Sequence, residues 1–453
     1  MKTFGCQMNE HDSERIMGEL LAQGLVAVDD PGDADVVVLN TCTIRENADN
    51  RLYGTLGHLK PLKERRPGMQ IAVGGCMAQR DGEGILARAP YVDAIWGTHN
   101  VTRAWDLLEA ARTGGAPAIE IWDGPGEGGA FDMPARRDVP WGAWVTIQTG
   151  CNNSCAFCIV PAVRGKEVSR PLDDLVAEVT RLAADGVTEV TLLGQNVNSY
   201  GRDLTHRRPL FAGLLRAVGE IDGIRRVRYT SPHPKDLRPE TIAAMAEVPA
   251  VCEHLHYPLQ SGSDRVLAAM HRGYTAERYL RQLRDARAAI ADLAVTTDII
   301  VGFPGETEDD FERTLEVAAE AAFDSAYTFI YSERPGTEAV ALAHLAVAAD
   351  VVAERFDRLR HVIDRAGMRR HEERVGRVEE ALVEGPSKKD PTVLSGRTRQ
   401  GKLVHFADPD GTLREGAYAD VSITSAAPHF LRGDLLQVTA RPRHRVRIPV
   451  TAD

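Results

Sequence analysis

Residues 150–171 read G-C-N-N-S-C-A-F-C-I-V-P-A-V-R-G-K-E-V-S-R-P and bring Cys151, Cys155 and Cys158 close together in the chain. Cysteine thiolates are the usual ligands of iron–sulfur cubanes, which contain four irons. Three cysteines leave one iron without a protein ligand, and an open metal position can accept a substrate or a cofactor. The stretch therefore predicts a catalytic iron–sulfur cluster on the loop that follows a strand at residues 144–148.

Two other interpretations of these three cysteines remain open. A zinc site usually contains two C-x-x-C pairs or cysteines with nearby histidines, and residues 159–178 contain neither cysteine nor histidine. Three unrelated buried thiols are the remaining alternative. The short spacing favours the cluster over both.

The spacing C-x3-C-x-aromatic-C, together with the residues around it, resembles the methylthiotransferase family of the radical S-adenosylmethionine (SAM) superfamily. Within that family, the motifs are most similar to those of the bacterial enzymes that act on N6-(dimethylallyl)adenosine in tRNA. The resemblance implies that Cys151, Cys155 and Cys158 hold a [4Fe-4S] cluster that binds SAM. It also implies that Phe157 lies near the adenine of this cofactor.

Length and composition are those of a multidomain globular enzyme. A chain of 453 residues suggests about three domains, and an apolar fraction of 43% with a charged fraction of 26% is ordinary for such proteins. The net charge of −11 argues against general adhesion to nucleic acid. It does not exclude an RNA substrate held by a local basic patch.

The termini and the cysteine count indicate a cytoplasmic protein. The chain has seven cysteines and no secretory signal, which suits a reducing compartment where metal binding is more common than disulfides. No apolar run approaches the roughly 20 residues of a membrane span. Only residues 1–4 precede Gly5, which is short against a mean strand of about 5–6 residues. We therefore expect the true start of the gene to lie upstream of Met1.

Residues 1–122 are predicted to form an open parallel α/β sheet. Residues 34–40 and 69–74 are short apolar runs typical of buried parallel strands. Between strands, a helix is predicted to begin at Ser13 and to stop at Gly24. Strand–helix alternation of this kind gives a parallel sheet.

Three further cysteines, Cys6, Cys42 and Cys76, each follow a predicted strand of this domain. The carboxyl ends of parallel strands meet at the edge that carries the binding crevice, so these thiols are expected to converge and could hold a second cluster. Burial of each as a small hydrophobic residue is the alternative. Residues 5–9, 40–48 and 74–79 resemble the cluster-binding segments of the methylthiotransferase family, which implies the second cluster. Cys252 has no partner in this pattern and is interpreted as a packing residue.

The central domain, residues 137–370, is predicted to be a TIM-like barrel. It follows a glycine-rich linker at residues 124–129 and repeats strand and helix patterns, with its sites at the carboxyl ends of the strands. The predicted strands are residues 144–148, 189–193, 226–230, 254–259, 294–301 and 325–331, and one predicted helix spans residues 172–184. The family resemblance implies a partial (β/α)6 barrel. It also implies that Gln195, Asn196 and the turn from Gly302 to Glu306 lie beside SAM.

Residues 373–440 change to short strands with alternating polarity, at residues 374–384, 402–406 and 418–423, which is the pattern of a small β-barrel. The connecting stretch resembles the TRAM domain, an OB-like RNA-binding module. Its basic residues are expected to contact RNA phosphates, with solvated loop charges as the alternative. These residues are Lys388, Lys389, Arg397, Arg399 and Lys402.

The resemblance covers nearly the whole chain and implies a reaction. The family adds a methylthio group to C2 of N6-(dimethylallyl)adenosine, the base just 3′ of the anticodon, and uses one SAM for the radical and another as methyl donor. It implies two [4Fe-4S] clusters, a tRNA substrate, a sulfur source, and a low-potential electron donor such as flavodoxin or ferredoxin. A monomer is expected.

Two sister activities share the six cysteines, because fold and clusters alone do not set the substrate. One modifies an aspartate of ribosomal protein S12, and the other modifies threonylcarbamoyladenosine in tRNA. The C-Q-M-N start and the V-S-R-P run favour the dimethylallyladenosine enzyme. A non-catalytic two-cluster electron carrier with an RNA-binding tail is a different class of alternative. Such a carrier would usually cover each cluster with four protein ligands, so the triplets speak against it.

Overall fold

The structure is a computed structural model that describes residues 1–43, 46–124, 131 and 133–444. The predicted linker at residues 124–129 lies outside the described residues from residue 125 onward. Residues 44 and 45 of the second cysteine segment lie outside them as well.

A five-stranded parallel sheet, in the order β1-β2-β3-β4-β5, forms the first domain. Its strands are β1 (Lys2–Thr3), β2 (Val36–Thr41), β3 (Gln70–Gly75), β4 (Ala94–Trp96) and β5 (Ala118–Glu120). Its helices are α1 (Gln7–Ala22), α2 (Glu46–Arg65), α3 (Cys76–Asp81), α4 (Gly84–Arg88) and α5 (Ala104–Gly114), with a 3-10 turn at Val101–Arg103. The two apolar cores of this domain contain alternate residues of the central strands, such as Leu39 in one and Val38 in the other. This confirms the predicted open parallel sheet.

The start of α1 differs from the sequence prediction. The helix begins at Gln7, well before Ser13. Its first turns carry buried polar side chains that face the central domain, where His11 Nδ1 lies 2.9 Å from Thr146 Oγ1. Apolar periodicity could not reveal these turns because, apart from Met8, the residues buried there are polar.

Six parallel strands form the central domain, arranged as two three-stranded sheets in the orders β10-β9-β6 and β11-β12-β13. An isolated parallel bridge pairs Val227 of one sheet with Val251, which lies just before the first strand of the other sheet. The strands are β6 (Gly142–Thr146), β9 (Glu189–Leu193), β10 (Arg226–Tyr229), β11 (His254–His256), β12 (Ala294–Val301) and β13 (Ser325–Ile330). A hairpin of β7 (Gln148–Thr149) and β8 (Val168–Ser169) flanks the 151–158 loop. This is the predicted partial (β/α)6 barrel.

Helices surround the barrel strands and share one large apolar core with them. They are α6 (Val160–Arg164), α7 (Leu172–Ala184), α8 (Arg202–Thr205), α9 (Phe211–Gly219), α10 (Pro239–Glu247), α11 (Asp264–Ala269), α12 (Ala276–Ala289), α13 (Glu308–Ala321) and α14 (Ala349–Glu372), with 3-10 turns at Val197–Ser199, Pro234–Asp236 and Glu338–Leu345. The predicted helix at residues 172–184 coincides with α7.

A closed barrel in the order β14-β15-β16-β18-β17 forms the last domain. Its strands are β14 (Val378–Pro386), β15 (Leu394–Thr398), β16 (Leu403–Ala407), β17 (Tyr418–Ala427) and β18 (Phe430–Ala440). The sequence pattern predicted the small barrel but only three of these strands. It missed β15, which is short and contains Gly396, and β18, whose side chains are mostly exposed and so lack a clear apolar alternation.

The small barrel packs against the amino-terminal end of the central strands. Arg226 and Arg228 of β10 donate to backbone carbonyls of Arg397, Thr398 and Arg399, at 2.7 to 2.9 Å. The turn at residues 397–402 therefore closes the central barrel at the end opposite the 151–158 loop. Among the described residues, no helix combines the length and the apolar character that a membrane crossing requires.

Candidate functional site

Cys6, Cys42 and Cys76, the N-terminal trio, lie at the carboxyl edge of the first sheet. Cys6 caps the start of α1, Cys42 follows β2 directly, and Cys76 is the first residue of α3. Because β1, β2 and β3 are parallel neighbours, their ends bring the three thiols to one rim. Cys42 and Cys76 are buried, and Cys6 is half-buried.

The Asn9 side chain connects the strand ends at this rim. Its side-chain amide donates to the carbonyls of Phe4 at 2.9 Å and Thr41 at 2.6 Å, so it fixes the ends of β1 and β2. Its Oδ1 lies 3.9 Å from the sulfurs of both Cys6 and Cys76. The amide therefore sets the spacing of the strand ends that carry the trio.

Two glycines allow the close approach of the backbone at this rim. A Cβ at Gly5 would lie 2.8 Å from Cys42 Sγ, and a Cβ at Gly75 would lie 2.5 Å from the carbonyl oxygen of Thr41. Both glycines have φ angles in the left-handed region, at +118° and +93°. A larger side chain at Gly5 would push against the Cys42 thiol, and one at Gly75 would push against the end of β2.

Cys151, Cys155 and Cys158, the barrel trio, lie on a loop at the carboxyl end of the central barrel. The Cys151 N–H donates to the Gly165 carbonyl at 3.1 Å, and the Cys158 N–H donates to the Cys155 carbonyl at 3.0 Å. The Asn153 N–H points at Cys151 Sγ, at 3.5 Å. These backbone bonds fold the loop so that its sulfurs face one region.

The barrel trio is chemically suited to a metal cluster. Burial raises the pKa of Cys151 to about 11 and that of Cys158 to about 12, and the neighbouring Cys155 adds to both shifts. Arg272 is buried and lies with its Nη1 3.4 Å from Cys155 Sγ. Three thiols this close repel one another as thiolates, and a bound cation removes that repulsion because it binds the deprotonated form.

Each trio offers three thiols as possible metal donors. Among the residues that the structure describes, no three His, Cys, Asp or Glu side chains converge to hold one metal ion. A cubane spreads its irons over a larger body, and each iron takes its own thiolate.

The two trios are joined by the short helix α6. Ile159 and Val163 pack against Cys76 in one buried cluster. Arg164, the last residue of α6, donates through Nη2 to Asn9 Oδ1 at 2.8 Å and to Asp12 Oδ2 at 2.9 Å.

The charge balance around Arg164 follows from these contacts. Burial raises the pKa of the Cys76 thiol, and the hydrogen bond and positive charge of Arg164 act in the opposite direction. Burial alone would lower the pKa of Arg164, but Cys76, Asp12 and Cys6 outweigh it and raise that pKa. The cation therefore favours the thiolate form of Cys76, which is the form that binds metal.

One cavity of about 1350 Å³ reaches both trios. It is lined by Cys6 and Cys42 of the first domain, Cys158 of the central barrel, and the turn of the small barrel at Arg397 and Lys402. The lumen of the central barrel thus connects all three domains.

The residues predicted to contact SAM lie in the large cavity, in a second pocket, and at the carboxyl end of β9. Phe157 lines the large cavity. Gly302 lines a separate pocket of about 300 Å³ with Pro304 and Tyr331. Glu306 is engaged within the chain, since its Oε2 accepts from the Gly302 N–H at 2.9 Å and pairs with Arg355 at 3.1 Å.

Gln195 and Asn196 lie at the carboxyl end of β9. Asn196 Nδ2 donates to Asp236 Oδ2 at 2.8 Å. The side-chain oxygens Gln195 Oε1 and Asn196 Oδ1 are buried without a hydrogen-bond partner among the described residues. A buried acceptor without a donor is costly, so the pair fits a ligand with N–H or ammonium donors, as SAM has.

The five predicted RNA-binding residues divide into two groups. Lys388 and Lys389 are exposed on the β14–β15 connection. The other three have partners within the chain: Arg397 Nε lies 2.8 Å from Glu384, Arg399 Nε 2.7 Å from Glu253, and Lys402 Nζ 2.6 Å from Asp324. The Lys402 side chain is buried, and the Asp324 side chain is 9% exposed. The RNA contacts of all five residues stay a prediction. Arg399 and Lys402 pair with residues of the central barrel, whereas the partner of Arg397 belongs to the small barrel itself.

Sequence reasoning missed Asn9, Asp12, Arg164 and Arg272. Asn9 lies within the 5–9 segment and Arg164 within the 150–171 stretch, so the motifs contained them without assigning a role. Asp12 and Arg272 carry no local signal. Their functions arise only from contacts across more than a hundred positions of sequence.

Comparison with known proteins covers all three domains. Residues 1–97 match an uncharacterized protein family, UPF0004, residues 145–318 match the radical SAM superfamily, and residues 372–436 match the TRAM domain. A tRNA-2-methylthio-N(6)-dimethylallyladenosine synthase of Streptomyces viridosporus is 53% identical over 95% of this chain and 86% of that protein. Proteins of the same name from Saccharopolyspora erythraea and Mycobacteroides abscessus are 52% and 51% identical, over 98% and 96% of this chain and 91% and 87% of theirs.

Solved structures are more distant. The radical S-adenosylmethionine methyltransferase TsrM of Kitasatospora setae, with tryptophan and a SAM analog bound, aligns with a TM-score of 0.48 at 14% identity. The alignment covers 71% of this chain and 65% of that chain.

Proposed function

Because this chain belongs to the family of tRNA-2-methylthio-N(6)-dimethylallyladenosine synthases, we propose that it adds a methylthio group to C2 of N6-(dimethylallyl)adenosine beside the tRNA anticodon. It is an enzyme of the radical SAM superfamily. The observation that carries the proposal is the single cavity that Cys6 and Cys42 of one trio share with Cys158 of the other. A reaction that needs a radical and a sulfur at the same carbon requires both sources to face one substrate.

Each trio is proposed to hold one [4Fe-4S] cluster. Cys151, Cys155 and Cys158 bind the cluster that takes SAM, and Cys6, Cys42 and Cys76 bind the second cluster. When bound, the first cluster with SAM supplies a 5′-deoxyadenosyl radical, and the second cluster with another SAM supplies the methylthio group. The chain's own residues position these groups and exclude water.

Positioning of the two clusters depends on buried polar contacts. Arg272 balances the charge at Cys155. Arg164 holds α6 against Asn9 and Asp12, so the distance between the trios is fixed by a helix and not by a flexible loop. A fixed separation is what a reaction between two bound groups needs.

SAM is proposed to bind beside Phe157 in the large cavity, with the amide oxygens of Gln195 and Asn196 and the turn at Gly302 as its further contacts. The orphaned oxygens would accept from its amino group. Glu306 acts indirectly, because it holds the Gly302 turn through its carboxylate.

The tRNA is proposed to meet the TRAM domain, with Lys388 and Lys389 as the exposed phosphate contacts. Its target base lies in a single-stranded loop, where a base can be turned out into the cavity. Domain bounds are placed at residues 1–122, 137–370 and 373–440. We also propose a cytoplasmic monomer that receives electrons from a flavodoxin or ferredoxin and sulfur from an external source.

Nucleoside mass spectrometry of tRNA from a strain that lacks this gene tests the proposal. The expected result is loss of the 2-methylthio mark with N6-(dimethylallyl)adenosine retained. An unchanged mark with an altered mass of ribosomal protein S12, or with altered threonylcarbamoyladenosine, would assign the chain to a sister activity instead.

A further inference from the structure

Two residues on the neighbouring strands β12 and β13 present accessible side chains to the large cavity. Asp298 and Tyr327 are partners in the register of these strands, and both line the cavity. The Tyr327 residue is 60% exposed, and the Asp298 side chain is 26% exposed. An aromatic ring and a carboxyl group that stay accessible inside a cavity are available to a ligand.

The pairing of Asp298 differs from that of the other acidic residues in the cavity lining. Among the described residues, the other three acids there each pair with an arginine or a lysine: Glu189 with Arg228 at 2.9 Å, Asp324 with Lys402 at 2.6 Å, and Glu384 with Arg397 at 2.8 Å. Asp298 Oδ2 instead lies 3.4 Å from His256 Nε2. His256 is itself held through Nδ1, which lies 3.0 Å from Thr296 Oγ1. These contacts orient the Asp298 carboxyl, and its oxygens can accept further hydrogen bonds.

An apolar layer lies between this polar pair and the loop of the barrel trio. Ile300 and Phe329 are the next partners on the same face of β12 and β13, two residues toward the carboxyl ends of the strands. Both line the cavity, and they belong to one apolar cluster with Phe157 of the cysteine loop. The cavity wall therefore changes from apolar to polar with distance from the barrel trio.

This order of side chains matches the chemical groups of N6-(dimethylallyl)adenosine. The base offers a flat ring, an apolar substituent on N6, and an N6–H donor on the same nitrogen. C2 and the carbon that bears N6 flank the ring nitrogen N1, so a base that turns C2 toward the cysteines places N6 farther along the wall. The N6–H needs an acceptor once it has left water, and the ring gains from stacking on an aromatic side chain.

On these grounds, and resting on the proposed function, we infer that Asp298 and Tyr327 form the subsite that selects the target base. Tyr327 stacks on the adenine, and Asp298 accepts a hydrogen bond from N6–H. Ile300 and Phe329 contact the dimethylallyl group. His256 is a positioning residue, because it acts through the Asp298 carboxyl. The subsite selects the substrate and takes no part in SAM cleavage, so the two properties are separable.

The test of Asp298 compares two anticodon stem-loops on the anaerobically reconstituted full-length enzyme. One contains N6-(dimethylallyl)adenosine, and the other contains O6-(dimethylallyl)inosine, where an ether oxygen replaces the N–H. The unsubstituted enzyme should prefer the first by at least about tenfold in kcat/KM for the methylthio product, because the ether gives Asp298 no donor. Asp298→Ala should lose most of this preference. Asp285→Ala, which removes an exposed acid of α12, should keep it. Any difference in the intrinsic reactivity of the two bases is common to all three enzymes and cancels.

Tyr327 is tested by a pair of variants. Tyr327→Leu removes the aromatic face and should raise KM for the first stem-loop by about tenfold or more. Tyr327→Phe keeps the ring and should stay close to the unsubstituted enzyme. In every variant, iron content and the formation of 5′-deoxyadenosine from SAM and dithionite without RNA should be unchanged.

Three results would overturn the inference: an undiminished preference in Asp298→Ala, an unchanged KM in Tyr327→Leu, or an equal loss of 5′-deoxyadenosine formation without RNA, which would mark the residues as structural. If the unsubstituted enzyme methylthiolates neither stem-loop, the proposed function fails. Calorimetric affinities of the same enzymes for the two stem-loops then still decide the subsite, since the preference for N–H and its loss in Asp298→Ala are properties of binding.

Discussion

Arg164 and Asp12 form a buried ion pair across the boundary between the first sheet and the central barrel, with 2.9 Å between Nη2 and Oδ2. Their side chains are 6% and 8% exposed. Asp12 belongs to α1, which Cys6 caps, and Arg164 ends the helix that begins just after Cys158. The pair therefore links the two cysteine trios through rigid elements on both sides.

Replacing Arg164 by Gln should destabilise the protein strongly. The change leaves the Asp12 carboxylate buried without its cation, a loss of roughly 3–5 kcal/mol. The exposed pair of Arg313 and Glu316 provides the control, where Arg313→Gln should cost less than about 1 kcal/mol. Calorimetry of the first unfolding transition measures both.

The double variant Arg164→Gln with Asp12→Asn should recover part of that loss, because no uncompensated charge remains. If Arg164→Gln is as mild as Arg313→Gln, the buried pair does not hold the two domains together.

Glu14 should make stability depend on pH. Burial, with repulsion from Asp138, raises the pKa of this carboxyl from 4.5 to about 7, although the Asp138 N–H and two arginines oppose the shift. Between these values the folded state takes up a proton that the unfolded state does not, so the group destabilises the fold progressively as the pH rises. Glu14→Gln should raise the unfolding temperature at pH 8 and have a smaller effect at pH 5. An equal effect at both pH values would show that the carboxyl does not titrate in this range.

Lys402 should be essential for the junction between the two barrels. Lys402→Met keeps the length of the side chain and removes the charge that faces Asp324, so the buried carboxylate is left unpaired at a cost of about 3 kcal/mol or more. Thermal unfolding should show this loss, while the salt dependence of tRNA binding stays that of the unsubstituted enzyme. A lowered salt slope with unchanged stability would instead support the RNA contact predicted from the sequence.

In contrast to Lys402, the exposed residues Lys388 and Lys389 should contribute to tRNA binding and not to stability. Changing both to Gln removes two exposed cations, so tRNA affinity should fall and the slope of log affinity against log salt should decrease by about 2. Thermal stability should not change. Lys60→Gln with Arg313→Gln removes the same charge away from the TRAM domain and should leave the slope unaltered; an equal change in both would mean that net charge alone matters.

Local patterns in the sequence were sufficient for much of the architecture. The run at residues 294–301 became β12 and the amphipathic stretch at residues 172–184 became α7, because apolar periodicity reports burial directly. Cys42 and Cys76 follow their strands as predicted. Parallel topology then dictates which edge they share.

Polar contacts between residues far apart in the chain could not be predicted from the sequence. Lys402 and Arg399 look like a basic surface in a local window, but their partners Asp324 and Glu253 lie far away in the chain. The ion pair of Arg164 could not be predicted either, since nothing near Arg164 in the sequence points to Asp12 as its partner. Charge density along the chain cannot tell a solvated cation from one buried in an ion pair.

Iron content is the most direct test of two separate cluster sites. Anaerobically prepared enzyme should contain about eight irons per chain, as two cubanes require. Replacing Cys6, Cys42 and Cys76 together by Ala should leave about four irons and retain 5′-deoxyadenosine formation, with the methylthio product lost. About four irons in both proteins would contradict the account.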